Sequence, residues 1–532
     1  MDNKRLLIAT VLCFLILFGW QFLAEQMGWV QAPQPQQQES IESSPQPAPL
    51  EPVAISPAVP QFMPTTGTEV IVDTPLYTAT FQSGGILKSF VLKQYNDMVG
   101  ASAKPLNMIS EQAFSVSPMG LLLNGQPSWS LGEWSLSGND LSLAPGQTAS
   151  LTFQGSLLGI RLTRTITFSA DTYLMDENIN LQAESTPMTA RLSYTLGIGN
   201  LSGGSNYDLM QMAWDENGSL KTNSKEKNLR SEGIMATAKI GWAGIMTNYF
   251  LAAIVPQNDA DSSFKGRLLE NKVWRIAVEN QDLLLSPDVP VTARTAWWFG
   301  PKERDLLNTA PNQLTASIDM GIFSFLAVPM LAVMGFFQKY VGNWGIAIIV
   351  LTVLIKILFW PLTRKSYQSM EGMKKIQPMM AQLQEKYAGD KEALSREMMQ
   401  LYKTYNINPM GGCLPMLIQL PVFVALYQGL LHSISLRHAS FTNYLPFTDI
   451  VWLADLSAKD PLYITPIVMG ATMFLQQWLA PAAGDPTQRK IMMLMPLIFT
   501  VMFLNFPSGL VLYWLCNNVL SIIQQWWTLR KA

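Results

Sequence analysis

Lys356 stands alone in residues 344–362, an otherwise apolar stretch that contains the run GIAIIVLTVLIKILF. At about 1.5 Å per helical residue the stretch is roughly 28 Å long, enough to cross the hydrocarbon of a bilayer. An ammonium group at that depth costs at least ~2.5–3.5 kcal/mol. It is kept only where water, a partner or a function offsets that cost. Thr352 lies one turn earlier on the same helical face. Gln419 enters the next apolar run to a similar depth, and Asn517 and Asn518 sit near the middle of the last one. Thr352, Lys356, Gln419 and Asn518 are thus within reach of one another in the inner leaflet, with Asn517 beside them. The outer half of the same runs offers few polar side chains. This pattern predicts a groove wet from the cytoplasm and closed toward the outside. A second reading has Lys356 snorkelling to the interface and the amides bonding between helices as glue. Periodicity leaves both open.

Other chemistries are limited by inventory. The chain has 532 residues, 48% of them hydrophobic, and a net charge of −2, so no global basic field invites direct nucleic-acid binding. The two histidines, His432 and His438, lie six residues apart near one membrane boundary, which rules out a histidine triad or histidine-rich zinc site elsewhere. The three cysteines, Cys13, Cys413 and Cys516, lie in or beside apolar segments and form no CxxC spacing. No GxSxG, Walker A or HExxH motif occurs, so no catalytic residue, metal or cofactor is expected. Ser202-Gly-Gly-Ser205 reads as a loop.

These polar residues must be positioned by the elements around them. Lys4 and Arg5 precede an apolar run from residue 6 to 23, which reads as an uncleaved anchor with a cytoplasmic N-terminus. A Pro/Gln/Ser-rich tether follows. The next region has short alternating runs at 77–81, 161–168, 177–183 and 191–196. In the second, Leu162, Ile166 and Phe168 share one face and three threonines the other. Such runs between Gly, Asn, Asp and Pro predict an antiparallel β-sandwich. Beyond Asp319 come six apolar runs. Arg364, Lys365, Lys374, Lys375, Lys386, Lys391, Arg396 and Lys403 place the segment between the second and third runs in the cytoplasm. A chain that starts inside must cross only once between the β region and Arg364. Residues 321–337, which contain Pro329, therefore read as an interfacial helix and 344–362 as the second span. The division is an anchor (1–30), a linker (31–67), a periplasmic β-sandwich (68–318), an interfacial helix (319–342), a second span (343–363), a cytoplasmic helical hairpin (364–410) and spans three to six with their loops (411–532). Both termini fall inside.

Two finer expectations concern these helices. Gly389 suits a C-cap and Asp390 an N-cap, which predicts a hairpin of 366–387 and 391–405. Its methionines (370, 373, 379, 380, 398 and 399) suit either a docking arm or packing between the two helices. The last two apolar stretches are about 14 and 15 residues, roughly 21–23 Å at helical rise, which thins the bilayer unless flanking Trp and Gln residues extend the helices.

The run NPMGGCLP from Asn408 to Pro415, continued by Gln419, Pro421, Phe423 and Tyr427, resembles the YidC/Oxa/Alb membrane protein insertases. So do FPSGLVLY from Phe506 to Tyr513 with Gln524-Gln525, Val341-Gly-Asn-Trp-Gly345 and Pro361-Leu-Thr363. The anchor, tether and β region resemble the Gram-negative type of that family. The resemblance implies an α-helical membrane protein, an N-terminal anchor plus a five-helix core, with a large periplasmic β-supersandwich related to sugar-binding folds. It implies insertion of nascent hydrophobic segments into the inner membrane through a hydrophilic inner-leaflet groove, alone or with the Sec translocon, without nucleotide hydrolysis. Lys356 takes the position of the groove cation, commonly arginine in the family, and Phe423 and Trp514 match positions lining the substrate path. Implied partners are nascent membrane proteins, the lipid bilayer, the Sec translocon and the ribosome, the last contact weaker where the tail stops at Arg530-Lys-Ala532. Read without the resemblance, the residues leave two alternatives: a secondary anion transporter using Lys356, or an anchored periplasmic carbohydrate-binding protein.

Overall fold

The computed structural model describes residues 69–530 except 83, 101, 115–117, 132, 202–207, 259, 406, 408–413 and 480–485. The expected anchor, tether, loop at 202–205 and the beginning of the motif from Asn408 lie outside the described residues.

The four alternating runs form strands: Tyr77–Gln82, Ile160–Ser169, Leu174–Ala183 and Leu192–Ile198. They belong to an antiparallel β-sandwich whose largest sheet has nine strands. Near its centre Val291–Pro301 pairs with Phe250–Pro256 on one side and Leu174–Ala183 on the other, and Ile160–Ser169 follows. One face of this sheet meets two smaller sheets, of five and six strands. Phe81 of the first lies 5.4 Å from Phe168, and Tyr194 of the second lies 6.3 Å from Trp297. A period-two pattern gives Ile160–Ser169 one inward face, whereas Leu192–Ile198 and Phe250–Pro256 are buried along their whole length. In Ile160–Ser169 that face carries Ile160, Leu162, Ile166 and Phe168, and also Arg164, which is fully buried.

Past the sandwich the chain is helical. We label the helices α1 (Ser324–Val341), α2 (Trp344–Lys386), α3 (Lys391–Thr404), α4 (Leu414–His432), α5 (Ile464–Leu479), α6 (Pro486–Phe503) and α7 (Ser508–Arg530). Among the described residues, α1 and α2 are long and apolar enough to cross a membrane. Gly342 ends α1 with φ +69°, a left-handed cap that glycine reaches without a Cβ clash. Asn343 then starts α2 by accepting from the Ile346 amide at 3.0 Å.

Three local expectations are corrected. Helix α2 runs unbroken for 43 residues, through Pro361 and Pro378, across the expected boundary between span and hairpin at 363/364. A proline removes one hydrogen bond, and the helix continues past Pro361 through Thr363, Ser366 and Gly372. The first half of the expected hairpin is therefore an extension of the helix that carries Lys356. At its tip the C-cap is Tyr387, not Gly389. Asp390 does cap α3, accepting from the Glu392 and Ala393 amides, and Met373, Ile376 and Met380 pack against Met398, Leu401 and Tyr402. The last two helices have 18 and 23 residues, about 27 and 35 Å long. Flanking polar and aromatic residues extend them beyond their apolar stretches, so the helices themselves are not short.

Candidate functional site

Lys356 is half-buried on α2. Its Nζ donates to Ser521 Oγ on α7 at 2.6 Å. That hydroxyl donates in turn to the Asn517 carbonyl at 2.7 Å, so its lone pairs face the ammonium. The Asn517 side chain accepts from Gln419 Nε2 of α4 at 2.6 Å, and Gln419 also reaches the Tyr513 hydroxyl at 3.5 Å. A hydrogen-bonded chain thus crosses three helices, from the cation to a fully buried tyrosine. Among the described residues Ser521 is the one polar partner of Lys356, and Lys356 makes no ion pair.

Of the five expected groove residues, Lys356, Gln419 and Asn517 come together. Asn518 does not join them: its Nδ2 points to α5, 3.4 Å from both the Met469 carbonyl and Thr472 Oγ1. Consecutive helical residues diverge by about 100°, so one asparagine faces the cation's side and the next a different neighbour. Thr352 does not join either. Its hydroxyl bonds back to the Ile348 carbonyl at 2.7 Å, within its own helix, and the residue is buried. For these two, bonding between or within helices describes the contacts.

Sequence reasoning missed Ser521 and Tyr367, and it quoted Gln524 in a motif without placing it in the site. The Tyr367 hydroxyl reaches the Ser521 carbonyl at 3.4 Å, and Gln524 Nε2 the Trp360 carbonyl at 3.5 Å. A signal was present. Asn517, Ser521, Gln524 and Thr528 follow at helical spacing and form one buried polar stripe along α7. On α2, Lys356, Thr363 and Tyr367 form the facing stripe.

Phe423 and Trp514 lie one turn from Gln419 and Asn517. They meet edge to face, with centroids 4.9 Å apart. Phe503 and Phe499 lie 5.4 and 5.9 Å from Trp514. Phe423 is buried, Trp514 half-buried, and the indole Nε1 has no hydrogen-bond partner among the described residues. The polar chain therefore ends against an aromatic wall.

This arrangement exchanges hydrogen bonds and offers one positive charge. Among the described residues the Ser521 hydroxyl is bonded to Lys356 and the Asn517 carbonyl, with no histidine or carboxylate beside it. Among the described residues no group of three or more His, Cys, Asp or Glu could hold a metal ion.

Comparison with known proteins places these residues in context. The family model described as YidC periplasmic domain matches residues 69–333, and that described as 60Kd inner membrane protein matches residues 336–532. A membrane protein insertase YidC of Nitratidesulfovibrio vulgaris (strain DP4) is 54% identical over 538 residues, covering 100% of both chains. That of Lawsonia intracellularis (strain PHE/MN1-00) is 50% identical over 533 residues, again covering 100% of both. A crystal structure described as an active YidC insertase with the first transmembrane domain resolved covers 86% of this chain and 92% of its own, at 17% identity and a TM-score of 0.37.

Proposed function

This chain belongs to the YidC membrane protein insertase family, and from that premise we propose how its helical core does the work. It is a membrane protein insertase of the inner membrane with a periplasmic β-sandwich domain. Full-length identity of 54% to a curated insertase carries that assignment. It also decides against the anion transporter and the carbohydrate-binding protein.

The groove is our reading of the contacts around Lys356. A nascent hydrophobic segment with a short polar flank approaches the arm formed by the end of α2 and by α3. Its flank enters beside Lys356, whose ammonium rests on a neutral hydroxyl. A carboxylate replaces that hydroxyl readily, because it sets a full negative charge against the ammonium where the hydroxyl offers only a dipole. Asn517 and Gln419 offer further polar contacts, and the apolar part passes along Phe423 and Trp514. Release into lipid is downhill because apolar burial drives it. No covalent bond is made or broken, so we assign no enzymatic step and no cofactor. We further infer cytoplasmic termini, and the Sec translocon and ribosome as partners.

The test uses the full chain in reconstituted vesicles. Lys356→Glu should impair insertion of acidic-flanked substrates more than neutral ones, whereas Lys356→Arg should be nearly silent. Equal losses on both substrate classes would reject the electrostatic role. Cysteines at positions 356 and 419 should react with water-soluble thiol reagents from the cytoplasmic side, and failure at both would remove the groove.

A further inference from the structure

The loop between α4 and α5, residues 433–463, grips the β-sandwich on one side and the helices on the other. On the sandwich side Ile434 is buried in that domain's own hydrophobic core. Arg437, three residues on, reaches the same domain with its guanidinium. Nη1 donates to the Asn96 carbonyl at 2.8 Å and Nη2 to the Asp97 carbonyl at 3.4 Å. The guanidinium also lies over the Phe250 ring at 5.0 Å and the Tyr249 ring at 6.0 Å. A planar cation that fills two carbonyls and stacks on aromatic faces uses geometry lysine lacks.

On the helical side the loop is bonded at three places. The Ser508 and Gly509 amides, at the start of α7, donate to the Ala458 and Leu456 carbonyls at 2.7 and 2.9 Å. Ser508 Oγ donates to the Asp455 carbonyl at 3.0 Å. Asn343 at the start of α2 donates to the Phe441 carbonyl at 2.9 Å, and Phe441 packs so closely on Gly345 that a Cβ there would stand 2.1 Å from its ring. Asp460 holds the start of α5 through the Thr465 amide and hydroxyl, both at 2.7 Å. Within the loop, Asp455 joins the two sides. Its Oδ1 accepts from the His438 amide, next to Arg437, and its carbonyl accepts from Ser508.

We propose that Arg437 is a positioning residue that clasps the β-sandwich domain to this outer cap, and that the cap couples the domain's position to the outer ends of α2, α5 and α7. The domain is also joined to α1 by the chain itself, but a covalent joint alone leaves rotation free. The clasp removes that freedom. A ligand or partner that pulls the sandwich away must first break the guanidinium contacts, and the strain then falls on the turn that starts α7, the helix that carries Asn517 and Ser521. Only the use of this coupling rests on the insertase reading. The clasp is a property of the resting protein and is measured without substrate.

The experiment uses the full chain in lipid nanodiscs, with its three cysteines replaced by serine and spin labels at Glu270 in the sandwich and Asp449 in the loop. The parent should give one narrow distance distribution. Arg437→Ala should broaden it at least ~2-fold, and Arg437→Lys, which keeps the charge but not the planar fork, should fall between. An unchanged width in Arg437→Ala overturns the clasp. In the same variant, hydrogen exchange at the Ser508 and Gly509 amides should rise ~10-fold through local opening. A broadened distribution with unchanged exchange there overturns the coupling. Unaltered exchange at Ile254 and Trp297, deep in the sandwich, verifies folding. Should Arg437→Ala fail that check, Arg437→Gln takes its place with the same two outcomes. Lys356→Glu should leave both readouts unchanged whether or not it impairs insertion, so failure of the clasp and failure of the groove are read separately.

Discussion

Two cations in this chain, one fully buried and one half-buried, are treated in opposite ways. Arg164 lies on the inward face of its strand where the three sheets meet. Its Nε donates to Glu177 at 2.6 Å, Nη1 to the Gly84 carbonyl at 2.5 Å and Nη2 to the Met119 carbonyl at 2.9 Å. Glu177 also accepts from Trp297 Nε1 at 2.7 Å. Gly85, at φ +72°, leaves the room: a Cβ there would stand 3.1 Å from the guanidinium. Lys356, in the helical core, has one neutral hydroxyl among the described residues and no ion pair. A saturated cation holds a structure together. A cation left with one replaceable partner is available to something that arrives. Burial alone therefore does not mark a functional charge; the state of its partners does.

The comparison can be broken from either side. The largest effect should come from Arg164→Ala, which strands Glu177 in the core. Removing one member of a buried pair costs about 3–5 kcal/mol, and denaturant unfolding followed by tryptophan fluorescence should show that loss. A change near zero would mean that Arg164 is not a structural pin. Lys356→Met should do the reverse. We expect its unfolding free energy to change by less than ~1 kcal/mol, well below the cost of breaking a buried pair, while insertion of acidic-flanked substrates falls ~10-fold. A destabilisation comparable to that of Arg164→Ala would erase the distinction. Ser521→Ala should act in the same direction as Lys356→Met but less, about 3-fold, because it leaves the ammonium in place and removes only the hydroxyl that positions it. Ser521→Thr should restore insertion.

Arg437 stands between the extremes, with two carbonyls and two aromatic faces, and it offers the finest test. His438 Nδ1 lies 3.4 Å from its guanidinium, and Nε2 lies 3.9 Å from Asp455 Oδ2. Burial, and then the charge of Arg437, hold the His438 pKa below the usual histidine value; Asp455 and Asp97 oppose this. The clasped state therefore disfavours the proton that the open state accepts near pH 6.5. The clasp's contribution should be complete above about pH 6.5 and be lost as pH falls through the lowered value. The distance distribution between Glu270 and Asp449 should broaden on acidification, and His438→Gln should remove that dependence. A pH-independent width in the parent chain would show that His438 does not report on the clasp.

Much of this was legible in the residues. Alternation located the strands, and apolar length located the stretch that carries Lys356. Asp390 announced its helix, and the polar residues of the last apolar run were visible. Other features were hidden for identifiable reasons. Arg164 shares a face with Leu162, Ile166 and Phe168, and a pattern of apolar residues does not say that a cation among them will find a carboxylate on the neighbouring strand. Asn517 and Asn518 look equivalent in a sequence, yet helical rotation sends them to different neighbours. Arg437 and Asn96 are 341 residues apart, beyond any periodicity.

The sequence by itself determined the division into a sandwich and a set of apolar helices, because period and hydropathy are local properties of a chain. It also determined that one ammonium would sit among apolar residues. Only the tertiary structure decided which polar atoms that ammonium meets, that α2 continues past Pro361 to Lys386, and that Arg437 closes on the sandwich. Those outcomes depend on which faces come into contact, and contact is fixed by packing between segments far apart in the chain.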